Sequence, residues 1–268
     1  MLCGCVHGKA NRVAVRAEAN EEFLLDRSRN YAKKVQTYHV LKGQYFGGNI
    51  ADASMDEMDF QFLAEHLGQN LKRQNFYSED DPNEGDLLIM VHYGSTNYVG
   101  DSNDSGVYSI DDLSSSYGEP EGGIFDSDLS EVATPSFLRS VPPSQRRILK
   151  ERYARAKLVG MDDIYSSKVT DYEAFVQQEL AREGRYFIIL TAFDLPLLRQ
   201  GEKKIHWSTR YSIRTIGQPF DQAIQELNFV AGHYFGNNMK GLISKRATDD
   251  SNVEVGDIEV IGGEEESK

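Results

Sequence analysis

The chain has 268 residues, with 29 Lys and Arg against 42 Asp and Glu, so its formal net charge at neutral pH is −13. This excess of acid argues against non-specific nucleic-acid binding, which needs a basic surface. The hydrophobic fraction of 40% supports a sizeable core and argues against wholesale disorder. The most apolar stretches, residues 87–93 and 186–193, are much shorter than the run of about 18 residues that crosses a membrane, so we expect buried strands there.

Residues 1–30 are mixed and charged, and we expect an N-terminal tether there. Both cysteines, Cys3 and Cys5, lie in this segment, so the rest of the chain cannot form a disulfide framework or a Cys-ligated zinc site. The string Leu2–Cys5 resembles the lipobox of bacterial lipoproteins and predicts lipidation of Cys5. A secretory signal has basic and apolar regions upstream, but only Met1 precedes this string. The start therefore lies further upstream, or the two thiols are incidental in a frayed N-terminus.

Residues 31–243 should form one domain that starts with a strand, a helix and a second strand. The β-prone segment Val35–Phe46 ends at a glycine pair, which indicates a strand followed by a turn. Ser54 opens a capping-box sequence, and apolar residues then recur at three- and four-residue spacing, which predicts a helix to about Gln74. After an acidic turn, Asp86–Tyr93 is apolar on both faces and is expected to be a central strand.

A long insertion, at about residues 97–183, should interrupt the domain. Its first part, to about Val141, is rich in Ser, Asp, Gly and Pro, which is typical of an irregular segment. Ser144–Lys157 is rich in Arg and Lys and predicts a basic helix, either a solvated face paired with acidic neighbours or a contact for anionic headgroups or an envelope polymer. Thr170 opens a second capping box, and Gly184 should end that helix.

The closing segment predicts a hairpin followed by a helix. Tyr186–Phe193 is continuously apolar and residues 205–214 alternate between apolar and polar, so the two should pair as strands. Pro219 begins a helix with one apolar face, which should end at Gly236 and lie on the sheet. Residues 244–268 are expected to form an acidic flexible tail.

These elements predict an α+β fold, with a mixed or antiparallel sheet, helices at 54–74 and 219–235 on one face, and the irregular insertion as decoration. Their order resembles a family of small bacterial envelope lipoproteins that is defined as a domain of unknown function. The resemblance covers Tyr38–Tyr93 and Tyr186–Phe235, and it includes Lys204–Ser208, where that family has a hydrophobic strand with a Trp. It implies an envelope location and supplies no catalytic residues.

The sequence lacks the common catalytic motifs: a phosphate-binding Gly-Lys-Ser/Thr loop, a Gly-x-Ser-x-Gly elbow and a His-Glu-x-x-His zinc helix. His92, His206 and Asp194 are candidates for a metal or general-base site, if the sheet brings them together, although structural histidines are more common. Convergence of the three in one concave pocket favours a hydrolase or other enzyme, whereas dispersal favours an adaptor.

Residues 101–112 match a twelve-residue EF-hand-type calcium loop and resemble the dockerin variety. Oxygen-bearing side chains stand at the ligand positions, and Gly106 stands where the loop turns sharply. The predicted ligands are Asp101, Asn103, Ser105, the carbonyl of Val107, Ser109 and Asp112. An Asp- and Ser-rich segment also produces such a string by composition, so a flexible polar loop is the alternative.

The function predicted from these features is that of a non-catalytic bacterial cell-envelope lipoprotein with a structural, adaptor or ligand-binding role. The alternative is a hydrolase or other enzyme with a cleft around His92, His206 and Asp194. We expect envelope proteins or an envelope polymer as partners, no nucleic acid, and membrane contact only through a lipid on Cys5. Calcium is the candidate cofactor. The expected location is the periplasmic side of the outer membrane or the cell surface, with the cytoplasm as the alternative.

Overall fold

The computed structural model describes residues 11–28, 34–47, 52–96, 142–165 and 170–246. The strands in these ranges are β1 (Val13–Ala19), β2 (Gln36–Phe46), β3 (Phe76–Ser78), β4 (Leu87–Thr96), β5 (Arg185–Asp194), β6 (Ile205–Arg214) and β7 (Ile243–Lys245). The helices are α1 (Glu21–Ser28), α2 (Ala53–Asp56), α3 (Phe60–Leu71), α4 (Pro143–Leu158), α5 (Asp171–Arg182), α6 (Leu195–Arg199) and α7 (Phe220–Ala231). Short 3-10 turns lie at Lys72–Gln74, Asp162–Tyr165 and Gly232–Tyr234. None of the described helices is long and apolar enough to cross a membrane.

The strands form one mixed sheet in the order β3-β2-β4-β5-β6-β1-β7. β2 runs parallel to both of its neighbours, and the other described pairs are antiparallel. β5 and β6 pair from Arg185↔Arg214 to Phe193↔Ile205, which confirms the expected hairpin. The α+β fold with a mixed sheet is therefore as the sequence predicts.

The first face of the sheet is covered by α3 and α7, as their apolar spacing predicts. Leu63 and Leu67 of α3 and Ile224 and Leu227 of α7 are fully buried in one cluster with the central strands. Trp207 of β6 belongs to the same cluster. The alternating apolar residues of β6 therefore lie on this face of the sheet.

The helix expected over residues 54–74 is divided in two. Asp52 caps α2 by accepting the Ser54 N–H, and Asp59 caps α3 by accepting the Gln61 N–H. The capping box predicted at Ser54 is therefore wrong, because an aspartate on either side of it accepts the helix N–H groups instead. This break leaves the Ser54 hydroxyl available for a contact with α7.

The second face is covered by α4, which lies in the segment that the sequence predicts to be an insertion. Ala154, Ala156 and Leu158 are buried in a second apolar cluster with Phe187 and Ile189 of β5. The helices therefore lie on both faces of the sheet, not on one. Alanine side chains let α4 lie close to the strands. Because they add little apolar surface and stand among many Arg and Lys residues, the sequence shows no clear apolar face for this helix. The basic helix is part of the domain core.

β1 lies between β6 and β7, so the predicted tether does not extend over residues 11–28. Val13, Val15 and Ala17 are fully buried, and Ala14 is fully buried on the opposite face of the strand. The sequence shows the alternation only weakly, because Ala adds little apolar surface. At the other end, the predicted tail is shortened, because Ile243–Lys245 pairs with β1 as β7.

Candidate functional site

His92 of β4 is a buried hydrogen-bond acceptor. Its Nδ1 atom accepts the Gln44 N–H at 2.9 Å, at the bulge that interrupts β2 between Lys42 and Tyr45. Burial lowers the pKa of His92 to about 4, so the ring is neutral at physiological pH. Gly43 makes room for the ring, since a Cβ at that position would lie 2.7 Å from the imidazole. His92 therefore helps to fix the bulge.

His206 and Asp194 form a pair beside α6. The His206 Nε2 atom lies 3.2 Å from Asp194 Oδ2, while Asp194 Oδ1 accepts the Leu197 N–H at 2.9 Å and caps α6. The Phe23 ring of α1 stacks on His206 with 5.0 Å between ring centroids. Burial lowers the pKa of His206 and outweighs the charge of Asp194, which acts in the opposite direction. The pair joins α1, α6 and β6.

The predicted site of His92, His206 and Asp194 is therefore only partly assembled. His206 and Asp194 meet, but His92 lies opposite Ile189 on β5, and Ile189 lies opposite Arg210 on β6. Arg210 is four residues from His206 along β6, which corresponds to roughly 13 Å. Within the described ranges, no group of three or more His, Cys, Asp and Glu side chains is placed to hold a metal ion.

The remaining predicted site residues lie outside the described ranges. Cys5 precedes residue 11, where the description begins. The candidate calcium ligands fall in the gap between residues 96 and 142: Asp101, Asn103, Ser105, Val107, Ser109 and Asp112. Lipidation and calcium binding at these positions stay predictions.

Five charged side chains, here called the arginine cluster, join the second face of the sheet to the turn after α4. They are Arg16 and Glu18 of β1, Arg210 of β6, and Asp162 and Asp163 of the turn. Arg210 lies 3.1 Å from Asp162 and 3.2 Å from Glu18. Arg16 contacts Asp163 and lies 3.0 Å from Glu18. The cluster thus holds the turn after α4 on β1 and β6.

Sequence reasoning missed the arginine cluster, although part of its signal is visible. Arg16 and Glu18 alternate with buried residues of β1, and Arg210 belongs to the polar half of the alternation in β6, a pattern that places charges on one face of a strand. The partners are distant in sequence: 147 residues separate Arg16 from Asp163, and 192 separate Glu18 from Arg210. Only the folded chain brings them together.

A further guanidinium group, that of Arg185, is buried at the start of β5. Its Nε donates to the Ser212 hydroxyl and its Nη2 donates to the Ser212 carbonyl, both at 3.0 Å. Arg185 and Arg214 share the Glu183 carboxylate at 3.4 and 3.0 Å. Burial lowers the pKa of Arg185 to about 10, so the group stays charged at physiological pH. These contacts tie the start of β5 to the end of β6.

Asp52 receives N–H groups from two helices. Its Oδ1 accepts the Ser54 N–H at 3.0 Å, in α2, and its Oδ2 accepts the Phe220 N–H at 3.1 Å, at the start of α7. The Tyr186 hydroxyl donates to the same Oδ2 at 2.5 Å. Burial raises the pKa of Asp52, but these hydrogen bonds outweigh it and hold the pKa below its ordinary value. One carboxylate thus balances the positive ends of two helices.

Arg27 has the opposite role at the other end of this helical layer. Its Nη2 donates to the Gln74 carbonyl at 2.5 Å and its Nη1 donates to the Gly236 carbonyl at 3.2 Å. Gln74 ends the turn after α3, and Gly236 follows the turn after α7. Burial lowers the pKa of Arg27 to about 10, and the group stays charged while stacked 4.4 Å from the centroid of the Phe76 ring. One cation therefore faces the negative ends of two helices.

Comparisons with known proteins assign no family to the chain. No family model matches it, and no curated protein matches it at a significant level. One similar solved structure is that of a PDZ domain protein from Parabacteroides distasonis, with 10% sequence identity and a TM-score of 0.39. The match covers 88% of this chain and 38% of that protein, so the chain spans well under half of its length.

Proposed function

We propose that the protein is a non-catalytic lipoprotein of the bacterial cell envelope with an adaptor or ligand-binding role. The observation that carries the non-catalytic part of this proposal is that the three candidate catalytic residues have structural roles. The envelope part rests on the lipobox-like string Leu2–Cys5. His92 accepts a backbone N–H at the bulge of β2, and Asp194 caps α6 while it holds His206. A general base needs instead a nitrogen or oxygen within reach of the substrate proton.

The proposed envelope location depends on lipidation of Cys5. The seven residue-to-residue steps from Cys5 to Arg12 span at most about 25 Å when extended, so a lipid there would keep the domain near the membrane. A single acyl chain gives only reversible membrane binding, and stable anchoring needs a second chain or a second contact. Envelope proteins or an envelope polymer are the proposed partners.

The anchor is tested by mass analysis of the N-terminal peptide. The gene is expressed with its upstream sequence in its own host, and the membrane fraction is digested. We expect a diacylglycerol adduct on Cys5, loss of membrane association in Cys5→Ser, and retention in the matched control Cys3→Ser. An unmodified Cys5 in the native protein removes the envelope assignment and returns the protein to the cytoplasm.

The non-catalytic role is tested with His92→Gln and His206→Gln in a strain that lacks the wild-type gene. Both substitutions should lower the melting temperature, while complementation of the deletion phenotype should change little. A variant that keeps the wild-type melting curve but loses complementation would favour the alternative, a hydrolase or other enzyme that uses these histidines.

A further inference from the structure

Among the described strands, the outer edge of β2 is only partly paired. β2 spans 11 residues, whereas β3 spans three residues and pairs only with Gln36–Tyr38. Beyond Tyr38, no described strand pairs with β2 on that side, although β4 pairs with it on the other side as far as Phe46. An open strand edge offers rows of backbone N–H and C=O groups to another strand.

The hydrogen bonds of β2 show which backbone groups face the open edge. The Gln36 N–H and the Tyr38 carbonyl bond to the chain around β3, at 3.0 and 2.9 Å. Thr37, between them, bonds at its N–H and its carbonyl to the residue that precedes β4. Because strand residues alternate in this way, the N–H and C=O groups of Val40 and Lys42 face outward.

Pairing with β2 of a second copy meets an obstacle at this edge in the registers centred on Leu41 and on Gly43. An antiparallel pair of β2 strands centred on Leu41 would place Gln44–Phe46 of one copy where β3 of the other copy lies. A pair centred on Gly43 would place the bulge at its midpoint, where the alternation of backbone groups is interrupted. A short extended peptide meets neither obstacle.

The side chains along the edge indicate which peptide fits. Leu41 is 43% exposed. It lies on the second face of the sheet, because its neighbour Val40 packs against the apolar cluster of the first face. Lys42 is exposed on the first face, where its Nζ lies 5.9 Å from the centroid of the Phe60 ring. Side chains of an added strand would alternate between the same two faces, so an apolar residue would cover Leu41 and a neighbouring carboxylate would pair with Lys42.

We propose that the open edge at Val40–Lys42 binds an extended segment of a partner protein, which joins the sheet as a strand. The segment carries an apolar residue beside Leu41 and an acidic residue beside Lys42. Backbone hydrogen bonds supply the affinity and the two side-chain contacts supply the selectivity. This inference rests on the proposed adaptor function and names its class of partner.

The first test uses synthetic peptides of alternating Val and Thr with one central Asp, and the full-length protein without a lipid. Two further versions carry N-methyl groups on alternate amides, offset from each other by one residue. The parent peptide should bind. One methylated version should lose about tenfold or more in affinity and the other should match the parent, since only every second amide faces β2. Equal loss in both versions, or no binding of the parent at millimolar concentration, would overturn the proposal.

The second test changes the protein. The variant Lys42→Glu should no longer bind the Asp peptide and should instead bind a version that has Arg in place of Asp. The control Lys203→Glu changes an exposed lysine before β6 and should bind like the wild type. Lys42→Pro removes one outward N–H group. Because proline is tolerated at the edge of a sheet, this variant should fold but bind neither peptide. If Lys42→Pro does not fold, the methylated peptides still decide.

The peptide experiments do not depend on Cys5. An unlipidated native chain that binds the peptides would keep the adaptor role and lose the envelope location. A lipidated chain that binds none of them would keep the envelope location and lose the edge site.

Discussion

Burial turns the His92 ring into a fixed acceptor and makes its protonation costly. Its pKa is about 4 in the folded protein, against about 6.5 for an exposed histidine. The unfolded chain therefore binds more protons between these values, and the free energy of unfolding should fall as the pH drops from about 6.5 towards 4. The contribution is fully retained above pH 6.5. We expect a loss of about 2–3 kcal/mol between pH 7 and pH 4.5, measured by urea denaturation.

The substitution His92→Gln isolates this contribution. The glutamine oxygen can still accept the Gln44 N–H but does not titrate in this range, so the variant should lack this part of the pH dependence. The wild-type protein, measured in the same buffers, is the control. An unchanged profile in His92→Gln would show that other groups cause the loss.

At the scale of the elements, α2 and α7 depend on one aspartate, whereas α3 has an aspartate of its own. Asp59→Ala should lower the free energy of unfolding by about 1 kcal/mol, the usual effect of losing an N-cap side chain. Asp52→Ala should cost more, about 2–3 kcal/mol, because the Tyr186 hydroxyl and the Phe220 N–H lose an acceptor as well. Urea denaturation of the two variants makes the comparison. Equal costs would mean that Ser54 suffices to hold α7.

The helical layer of the first face is balanced by charge at both ends. Asp52 lies at the N-termini of α2 and α7, and Arg27 lies beyond the C-terminal ends of α3 and α7. Each sign faces the helix ends of opposite partial charge, so the partly buried Asp52 and the buried Arg27 are compensated by backbone dipoles as well as by hydrogen bonds. The layer therefore tolerates a buried cation that has no carboxylate among its described hydrogen-bond partners.

At the scale of the whole molecule, the arginine cluster should hold α4 on the domain. Burial raises the pKa of Glu18, but the arginines outweigh it and lower that pKa, so the carboxylate stays charged. Arg210→Gln removes the cation between Glu18 and Asp162. Amide hydrogen exchange should then quicken in α4 and the turn after it more than in β4 and β5.

The matched control for this prediction is Lys204→Gln, which breaks an ion pair with the exposed carboxylate of Glu22. Exposed pairs contribute little, so exchange in α4 should not change. If Arg210→Gln quickens exchange equally in the sheet and in α4, the cluster supports global stability and is not specific to α4.

Elements with a strong local signal could be predicted from the sequence, and those with a dispersed signal could not. The capping box at Thr170 and the pairing of β5 with β6 follow from neighbouring residues and are confirmed. The helix predicted over Ser144–Lys157 is confirmed as α4, but the places of β1 and α4 in the core are not predictable, because Ala17, Ala154 and Ala156 supply buried positions with little apolar surface. In both cases the tertiary contacts, not the local pattern, decide that the segment belongs to the core.

The candidate site shows the same division. The contact of His206 with Asp194 could be anticipated, since both stand at one end of a predicted hairpin. The separation of His92 from them depends on strand register, which the sequence does not specify. Asp52 and Arg27 were not identified at all, because their partners lie as far as 168 and 209 residues away.

The placement of β1 has a mechanical consequence. This strand pairs with β6 from Ala14↔Ser212 to Ala19↔Trp207, and with β7 from Val13↔Lys245 to Val15↔Ile243. The hydrogen bonds of both ladders run across the strand axis, so a pull on the N-terminus along that axis loads them in shear, all at once. A strand at the edge of a sheet would be peeled away with half as many ladders to break. If the chain is tethered through its first residues, a pulling force therefore acts on β1 between β6 and β7. Both ladders must break before β1 detaches from the sheet.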